Sequence, residues 1–298
     1  KDNYRYRTQI IVQILLVVYV GLTVVSTLLL KMAGMNWFDS LCHAMSACAT
    51  SGFSTKNASV AYFNSPMIDT ILIFAMATAG IHFGLIYATV TGKRSNIFRS
   101  EVTRWYLGML FAGGLLIAVS LFAADIYPTL TASFRYAMFQ FVSVVTTTGF
   151  ATADSNQWTS FAVILLIFGS IVCACAGSTA GGIKTTTMAI LLLTCAAVIR
   201  GRKSTECFGR RLAESNVRSG IAIVFLTFAI WLTGLFGLAV LEPDERFIDL
   251  MYEATSAIGT VGLSADLTPS LTRGSHVILM ILMYVAVSYT HLRAHETV

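Results

Sequence analysis

Thr147-Thr148-Gly149-Phe150-Ala151 is one of three similar short segments in this chain, and the other two are Thr50-Ser51-Gly52-Phe53-Ser54 and Thr260-Val261-Gly262-Leu263-Ser264. Each segment contains a small hydroxyl residue, a small or branched residue, glycine, a large apolar residue and a small residue. A serine stands six residues before each glycine, and an aromatic residue opens the stretch that leads to it. Self-similarity of this kind indicates that one structural unit is repeated.

The composition around these segments is that of a membrane protein. The chain has 298 residues, of which 56% are apolar and 12% charged, and its mean hydropathy is +0.73. Soluble domains carry about 25% charged residues, and a helix needs about 20 apolar residues to cross a bilayer. Candidate spans are the apolar runs 10–30, 68–90, 106–124, 161–176, 188–199 and 221–241, with a last run that begins near His276.

The basic residues predict how these spans are oriented. Residues 1–7, 93–104 and 200–218 hold 13 of the 20 lysines and arginines, and short cytoplasmic loops collect such residues. The other connections are mostly acidic and are therefore predicted to lie outside. The net charge of +5 then reflects topology, and we expect no nucleic-acid partner. The six cysteines have no zinc-site spacing, so neither a metal site nor a cofactor is expected.

The stretch before each glycine is predicted to be a re-entrant helix. From the opening aromatic residue to the glycine there are about 14 residues, which form a helix of roughly 20 Å and are too few to cross the membrane. Irregular backbone at that depth is tolerated where it lines a water-filled cavity. Three such hairpins are therefore predicted to surround one axis.

The turns at the ends of these helices suit cation binding. Glycine adopts positive φ readily, so consecutive carbonyl oxygens can turn toward an axis and replace the hydration shell of an ion. No Asp or Glu lies within two residues of the three glycines, which favours a monovalent cation over a divalent one. For a single turn the alternative is a glycine that ends a helix, but three copies favour an ion filter. The candidate ion-binding residues are Thr50, Ser51, Gly52, Phe53, Thr147, Thr148, Gly149, Phe150, Thr260, Val261, Gly262 and Leu263.

The turns, together with the stretch Ala176-Gly177-Ser178-Thr179-Ala180-Gly181-Gly182-Ile183-Lys184, resemble the TrkH branch of the superfamily of Trk, Ktr and HKT potassium transporters. The resemblance extends from about Asn3 to Val285. It implies an all-α integral membrane fold, in which repeated units of span, re-entrant pore helix, filter turn and span surround a pseudo-symmetric pore. It also implies K⁺ uptake across a bacterial plasma membrane, with K⁺ held at the filter carbonyls and no enzymatic activity.

The family has four filter turns, whereas this chain has three. Residues 1–92 resemble the second repeat of the family, 93–203 the third and 218–287 the fourth, with a cytoplasmic loop predicted at 204–217. The last apolar run has only eleven residues, 277–287. We expect the polar tail at 288–298 to be non-native.

The third repeat carries a predicted break in its second span. From Phe161 to Ile199 the only charged residue is Lys184, and the run is about twice as long as one span requires. Glycines disfavour helix by about 1 kcal/mol each, so two half-helices with an intramembrane loop are expected. The resemblance implies that the loop crosses the pore as a gate, with candidate residues Gly177, Ser178, Thr179, Gly181, Gly182 and Lys184. Lys184 itself is either part of this gate or an interfacial lysine that reaches the membrane surface.

Partners and competing functions follow from the same features. The resemblance implies a homodimer in membrane lipid that binds cytoplasmic TrkA-like nucleotide-binding subunits. The basic segment Arg200 to Arg218 is either the docking surface for that partner or charge that only sets topology.

Two other functions compete with a potassium channel. A proton- or sodium-coupled secondary transporter also uses broken helices, whereas a membrane scaffold would give no reason for three turns. His82, inside the second apolar run, is either a helix-packing contact or a proton-relay group.

Overall fold

The computed structural model describes residues 2–92, 97, 100–201, 206–207, 210–211 and 214–294, and the side chains of these residues except at 2–8, 206–207, 210–211, 215–216 and 287–294. Several of the basic residues that predict topology therefore lie outside the described residues, namely Lys1, Lys93, Arg94, Arg99, Arg202 and Lys203. Residues 204–205, 208–209 and 212–213 of the predicted loop at 204–217 lie outside them as well.

The described part of the chain is almost entirely helical. Its helices are α1 (Asp2–Met32), α2 (Trp37–Ala49), α3 (Pro66–Ala79), α4 (Phe83–Val90), α5 (Glu101–Ala123), α6 (Leu130–Val145), α7 (Ser160–Ile171), α8 (Thr185–Ile199), α9 (Glu214–Leu241), α10 (Phe247–Gly259) and α11 (Arg273–Ala294). Two-residue strands form two small pairs. Strand β1 (Val172–Cys173) is parallel to β2 (Ile183–Lys184), and β3 (Glu206–Cys207) is antiparallel to β4 (Arg210–Arg211).

In the part of the chain that the structure describes, three helices are long and apolar enough to cross a membrane. They are Gln9–Met32 within α1, Glu101–Ala123 and Val217–Leu241 within α9, and they confirm three of the predicted spans. Large apolar side chains on their outer faces are exposed, as Leu16 and Leu116 illustrate. Such surfaces suit contact with lipid.

The second apolar run differs from the prediction of one continuous span. It is divided into α3 and α4, whose axes differ by 104° across the break. His82 begins α4, because its Nδ1 accepts a hydrogen bond from the N–H of Gly84 at 3.0 Å. His82 therefore lies at the break between these two helices.

The predicted break in the third repeat is confirmed. Helix α7 ends at Ile171, the chain forms a loop held by the pairing of β1 with β2, and α8 begins at Thr185. Gly177 and Gly182 have φ of +75° and +61°, a backbone conformation that side-chain-bearing residues rarely adopt. Glycines at these two positions allow the chain to leave the helix and return to it.

Helices α2, α6 and α10 are the predicted short helices. They contain 13, 16 and 13 residues, which is too few to cross a bilayer. Side-chain caps define where α2 and α6 begin: Asn36 accepts a hydrogen bond from Asp39 N–H at 2.7 Å, and Thr129 accepts one from Ala132 N–H at 3.2 Å. The C-terminal half of α6, from Phe139 to Val145, is buried on every side. Helix α6 therefore lies at the centre of the fold, in contact with α3, α5 and α7.

An ion pair joins the first turn of α3 to α6. The Nε of Arg135 donates to Asp69 Oδ2 at 2.7 Å, and the Asp69 side chain is almost fully buried. Removing one partner of a buried pair costs about 3–5 kcal/mol, because the other charge stays buried. We expect Arg135→Met to lower the midpoint of thermal unfolding in detergent, and Asp69→Asn in the same chain to restore part of the loss. A double variant no more stable than Arg135→Met would contradict this account of the pair.

Candidate functional site

Helices α2, α6 and α10 end in the same hydrogen-bonding pattern. At the end of α2, Thr50 N–H donates to Ala47 C=O at 3.3 Å and Ser51 N–H donates to Ser46 C=O at 3.0 Å. The same two bonds close α6 at Thr147 and Thr148, and α10 at Thr260 and Val261. This arrangement is the Schellman motif. The acceptor of the second bond in each helix is the serine that stands six residues before the glycine: Ser46, Ser143 and Ser256.

The left-handed residue of each motif is a threonine, although glycine is usual there. Thr50, Thr147 and Thr260 have φ of 52°, 54° and 57°. A β-branched residue in this region is strained, and strain of about 1–3 kcal/mol persists only where the surrounding structure imposes it. The alternative that the turn glycines end the helices is therefore wrong, since the left-handed residue after each helix is a threonine and the turn glycine follows two residues later.

The three glycines have positive φ, as the sequence predicts, and their turns lie side by side. Gly52, Gly149 and Gly262 have φ of +71°, +83° and +82°. A Cβ on Gly52 would collide with the carbonyl oxygen of Thr148, and a Cβ on Gly149 would collide with that of Val261. Three turns that are about a hundred residues apart in sequence thus touch through their backbones. Next to Gly262, no described atom lies within 4 Å of the Cβ position.

The middle turn is enclosed and the flanking turns are open. Phe150, which follows Gly149, is 0% exposed, whereas Phe53, the equivalent residue after Gly52, is 80% exposed. The ring of Phe150 stacks on His43, with centroids 5.6 Å apart. The described turns therefore form an arc with two free ends.

The loop between β1 and β2 lies against this arc. The N–H of Gly181 donates to Thr147 Oγ1 at 2.9 Å, and a Cβ on Gly181 would collide with Thr260 Oγ1. Two of the three strained threonines therefore contact one residue of the loop. The Sγ of Cys173 occupies the space that a side chain at Gly182 would need, and the carbonyl oxygen of Gly259 lies close to the same position.

The other side of the loop lies against the break between α3 and α4. Cys175 N–H donates to Gly80 C=O, and Phe83 N–H donates to Gly177 C=O, both at 3.1 Å. The His82 ring fills the space where Gly177 lacks a side chain. Sequence reasoning missed this contact, although one pattern indicates it: Gly80 and Gly177 each follow a turn glycine by 28 residues.

Among three polar candidate residues, Thr179 bonds the loop to α3, whereas Lys184 and Ser178 bond carbonyl oxygens of the loop itself. The ammonium group of Lys184 donates to the carbonyl oxygens of Ala180 and Gly181, so it bonds the loop itself. Thr179 Oγ1 donates to Ala79 C=O at 3.3 Å, whereas Ser178 Oγ donates within the loop to Cys175 C=O at 2.7 Å.

Comparison with known proteins gives the family. A family model described as "TrkH: Cation transport protein" matches residues 1–286. The chain belongs to the TrkH family. It is 34% identical over 169 residues to the Trk system potassium uptake protein TrkH of Escherichia coli K12, a match that covers 56% of this chain and 35% of that protein. It is 26% identical over 259 residues to the Ktr system potassium uptake protein B of Bacillus subtilis, covering 83% of this chain and 57% of that protein.

The fold of this TrkH-family chain is that of a solved relative. The crystal structure of the potassium transporter TrkH from Vibrio parahaemolyticus has a TM-score of 0.79 and 24% identity, and the match covers 90% of this chain and 59% of that one. The chain thus spans between about a third and three fifths of the length of these relatives. The sequence-based expectation of an all-α, multi-pass protein of a bacterial plasma membrane is confirmed.

The contact between neighbouring turns can be tested through stability. Gly52→Ala and Gly149→Ala each force a side chain against a carbonyl oxygen and into left-handed backbone, which alone costs roughly 1–2 kcal/mol. We expect both variants to lower the midpoint of thermal unfolding in detergent. Gly21→Ala is the matched control, because Gly21 lies inside α1 with no atom within 4 Å of its Cβ position, and alanine should be neutral or favourable there. Equal midpoints for all three variants would argue against the close approach.

Proposed function

We propose that this chain carries K⁺ into the cell through a pore centred on the three turns. The observation that supports this most strongly is the backbone contact of Gly52 with Thr148 and of Gly149 with Val261. Three helix C-termini meet at these turns, and each adds partial negative charge. Carbonyl oxygens grouped in this way replace the hydration shell of a cation. The names of the relatives, which are potassium uptake proteins, favour K⁺ as that cation.

The proposed filter is built from backbone and has no carboxylate in the turns. Its residues are those predicted from sequence: Thr50, Ser51, Gly52, Phe53, Thr147, Thr148, Gly149, Phe150, Thr260, Val261, Gly262 and Leu263. Neutral oxygen ligands suit K⁺ better than a divalent ion, which usually takes carboxylates.

A fourth turn completes the proposed ring. The open space beside Gly262 and the exposed ring of Phe53 lie at the two ends of the arc. In this proposal residues 1–92, 93–203 and 218–287 are three pore repeats, and a fourth segment of the same kind contacts Gly262 as Val261 contacts Gly149.

The filter is tested by replacing a glycine and measuring discrimination between ions. Gly149→Ser in proteoliposomes should lower the preference for K⁺ over Na⁺ about tenfold, which corresponds to about 1.4 kcal/mol, because the turn can no longer keep its positive φ. The measurement is ⁸⁶Rb⁺ uptake in competition with K⁺ and Na⁺. Uptake that also required a proton or sodium gradient would favour a coupled secondary transporter. Unchanged discrimination in a folded Gly149→Ser protein would refute the filter.

The loop between β1 and β2 is proposed to gate this pore. It contacts Thr147 and Thr260 through Gly181, so a cation that leaves the turns on that side meets the loop next. Lys184 stabilises the closed form in this proposal, because its ammonium group binds two carbonyls of the loop and also repels cations. Gly177, Ser178, Thr179 and Gly182 shape the rest of the loop.

Gly181→Ala tests the gate because its new methyl group collides with Thr260 and pushes the loop away. We expect a several-fold increase in ⁸⁶Rb⁺ flux at fixed driving force, with the K⁺ over Na⁺ preference nearly unchanged. Lys184→Ala should act in the same direction, because it removes a like charge from a low-dielectric path. Unchanged flux in both variants, at normal membrane expression, would mean that the gate lies elsewhere.

The proposed partners are a second copy of the chain, surrounding lipid and cytoplasmic TrkA-like nucleotide-binding subunits. The candidate docking segment is Arg200 to Arg218, and the side chains of 202–213 lie outside the described residues. Neutralising Arg210 and Arg211 should reduce co-purification of the partner, whereas Arg273→Ala, on the predicted outer side, should leave it unchanged. Full co-purification by the double variant would mean that these charges only set topology.

A further inference from the structure

A buried polar residue stands nine positions before each turn glycine. These residues are His43, Gln140 and Glu253, and they are 0%, 1% and 4% exposed. A polar side chain loses free energy on burial unless it is hydrogen-bonded. Because the same position in all three short helices is buried and polar, we expect one structural role that the three side chains share.

His43 connects α2 to the segment beyond Gly52. Its Nδ1 lies 2.8 Å from the carbonyl oxygen of Asp39, and its Nε2 lies 2.9 Å from Ser54 Oγ. A carbonyl can only accept, so Nδ1 carries a hydrogen, and in the neutral ring Nε2 accepts from the Ser54 hydroxyl. Ser54 Oγ in turn accepts from Lys56 N–H at 3.1 Å. The imidazole thus fixes the chain two residues after the glycine.

Glu253 does the same in α10, with more bonds. Its Oε1 accepts from the Ser264 hydroxyl and from Ala265 N–H at 3.0 Å, and its Oε2 accepts from Thr268 Oγ1 at 2.8 Å. Ser264 is two residues after Gly262, as Ser54 is after Gly52. The distance in sequence between the helix residue and its serine is eleven residues in both repeats.

Gln140 is the neutral counterpart in the middle repeat. Its Nε2 donates to Ala153 C=O at 2.8 Å, four residues after Gly149, whereas its Oε1 is buried and has no hydrogen-bond partner among the described residues. The three helices thus hold the following segments with an imidazole, an amide and a carboxylate. Although these groups differ chemically, each one hydrogen-bonds the chain two to four residues after the turn glycine and so fixes that segment.

We propose that His43, Gln140 and Glu253 are positioning residues that fix the outer half of the ion filter, and that Glu253, through Ser264, sets much of its K⁺ over Na⁺ discrimination. The inference rests on the proposed filter. A set of carbonyl oxygens discriminates between ions of different size only if a rigid backbone keeps the spacing of the oxygens constant. The residues do not touch the ion, and they act through the serine or alanine that follows each turn.

The test compares Glu253→Ala and Glu253→Gln in proteoliposomes by the ratio of K⁺ to Na⁺ permeability. An amide oxygen still accepts from Ala265 N–H, and the amide nitrogen donates to the Thr268 hydroxyl. We therefore expect the glutamine variant to stay within about twofold of wild type, and the alanine variant to lose at least about fivefold. Glu245→Ala is the matched control, because it removes the same charge from an exposed site, and it should leave the ratio unchanged.

If Glu253→Ala does not fold, Ser264→Ala tests the same hydrogen bond from the other side. Ser264 is exposed, so its replacement should not disturb folding, yet it removes the link from Glu253 to the turn. We expect a smaller loss of discrimination, and no further loss when it is added to Glu253→Ala. Wild-type ratios in Ser264→Ala and Glu253→Ala would overturn the inference. So would a glutamine variant as poor as the alanine variant, since charge and not hydrogen bonding would then be the cause.

The filter itself is checked in the same series by Gly262→Ser, which must lower the permeability ratio. If it does so while the Glu253 and Ser264 variants match wild type, the positioning role fails and the filter stands. If Gly262→Ser has no effect, the filter fails, and the inference that rests on it fails as well.

Discussion

The structure depends on the absence of a side chain where one turn meets the next. At Gly52 and Gly149, the carbonyl oxygen of a neighbouring turn occupies the space that a Cβ would need. Only glycine permits this approach, and only a glycine with positive φ leaves the chain free to continue. The short helices, the loop and the surrounding spans are arranged so that these two contacts can form.

A backbone N–H or C=O group in a bilayer costs free energy unless it is hydrogen-bonded. Around the turns, three sets of hydrogen bonds supply partners for such groups. Schellman bonds satisfy the ends of α2, α6 and α10. Gly181 N–H binds a threonine hydroxyl of one turn, and the break at Gly80 exchanges backbone bonds with the loop. The strained backbone at Thr50, Thr147 and Thr260 is held by these hydrogen bonds, and the loop contacts two of these threonines, Thr147 and Thr260.

Sequence predicts the parts of this architecture that leave a periodic or compositional trace. The three turns repeat in similar order, the apolar runs predict the spans, and the glycines between Gly177 and Gly182 predict the broken helix. The break at Gly80 was missed because one glycine in an apolar run is usually tolerated in a helix. The threonine caps could not be predicted, since propensity assigns left-handed backbone to glycine. His43, Gln140 and Glu253 occupy the same position in the three repeats but are different residue types. A search for repeated residue types therefore does not reveal that they are equivalent.

We propose that the arc of turns binds a monovalent cation through its carbonyl oxygens, and anomalous diffraction from crystals grown with Tl⁺ or Rb⁺ would locate such an ion. The account predicts an anomalous peak on the axis of the arc, within bonding distance of the carbonyl oxygens of Thr148 and Val261. No peak there, in crystals that show ordered turns and an excess of the heavy ion in the solvent, would contradict it.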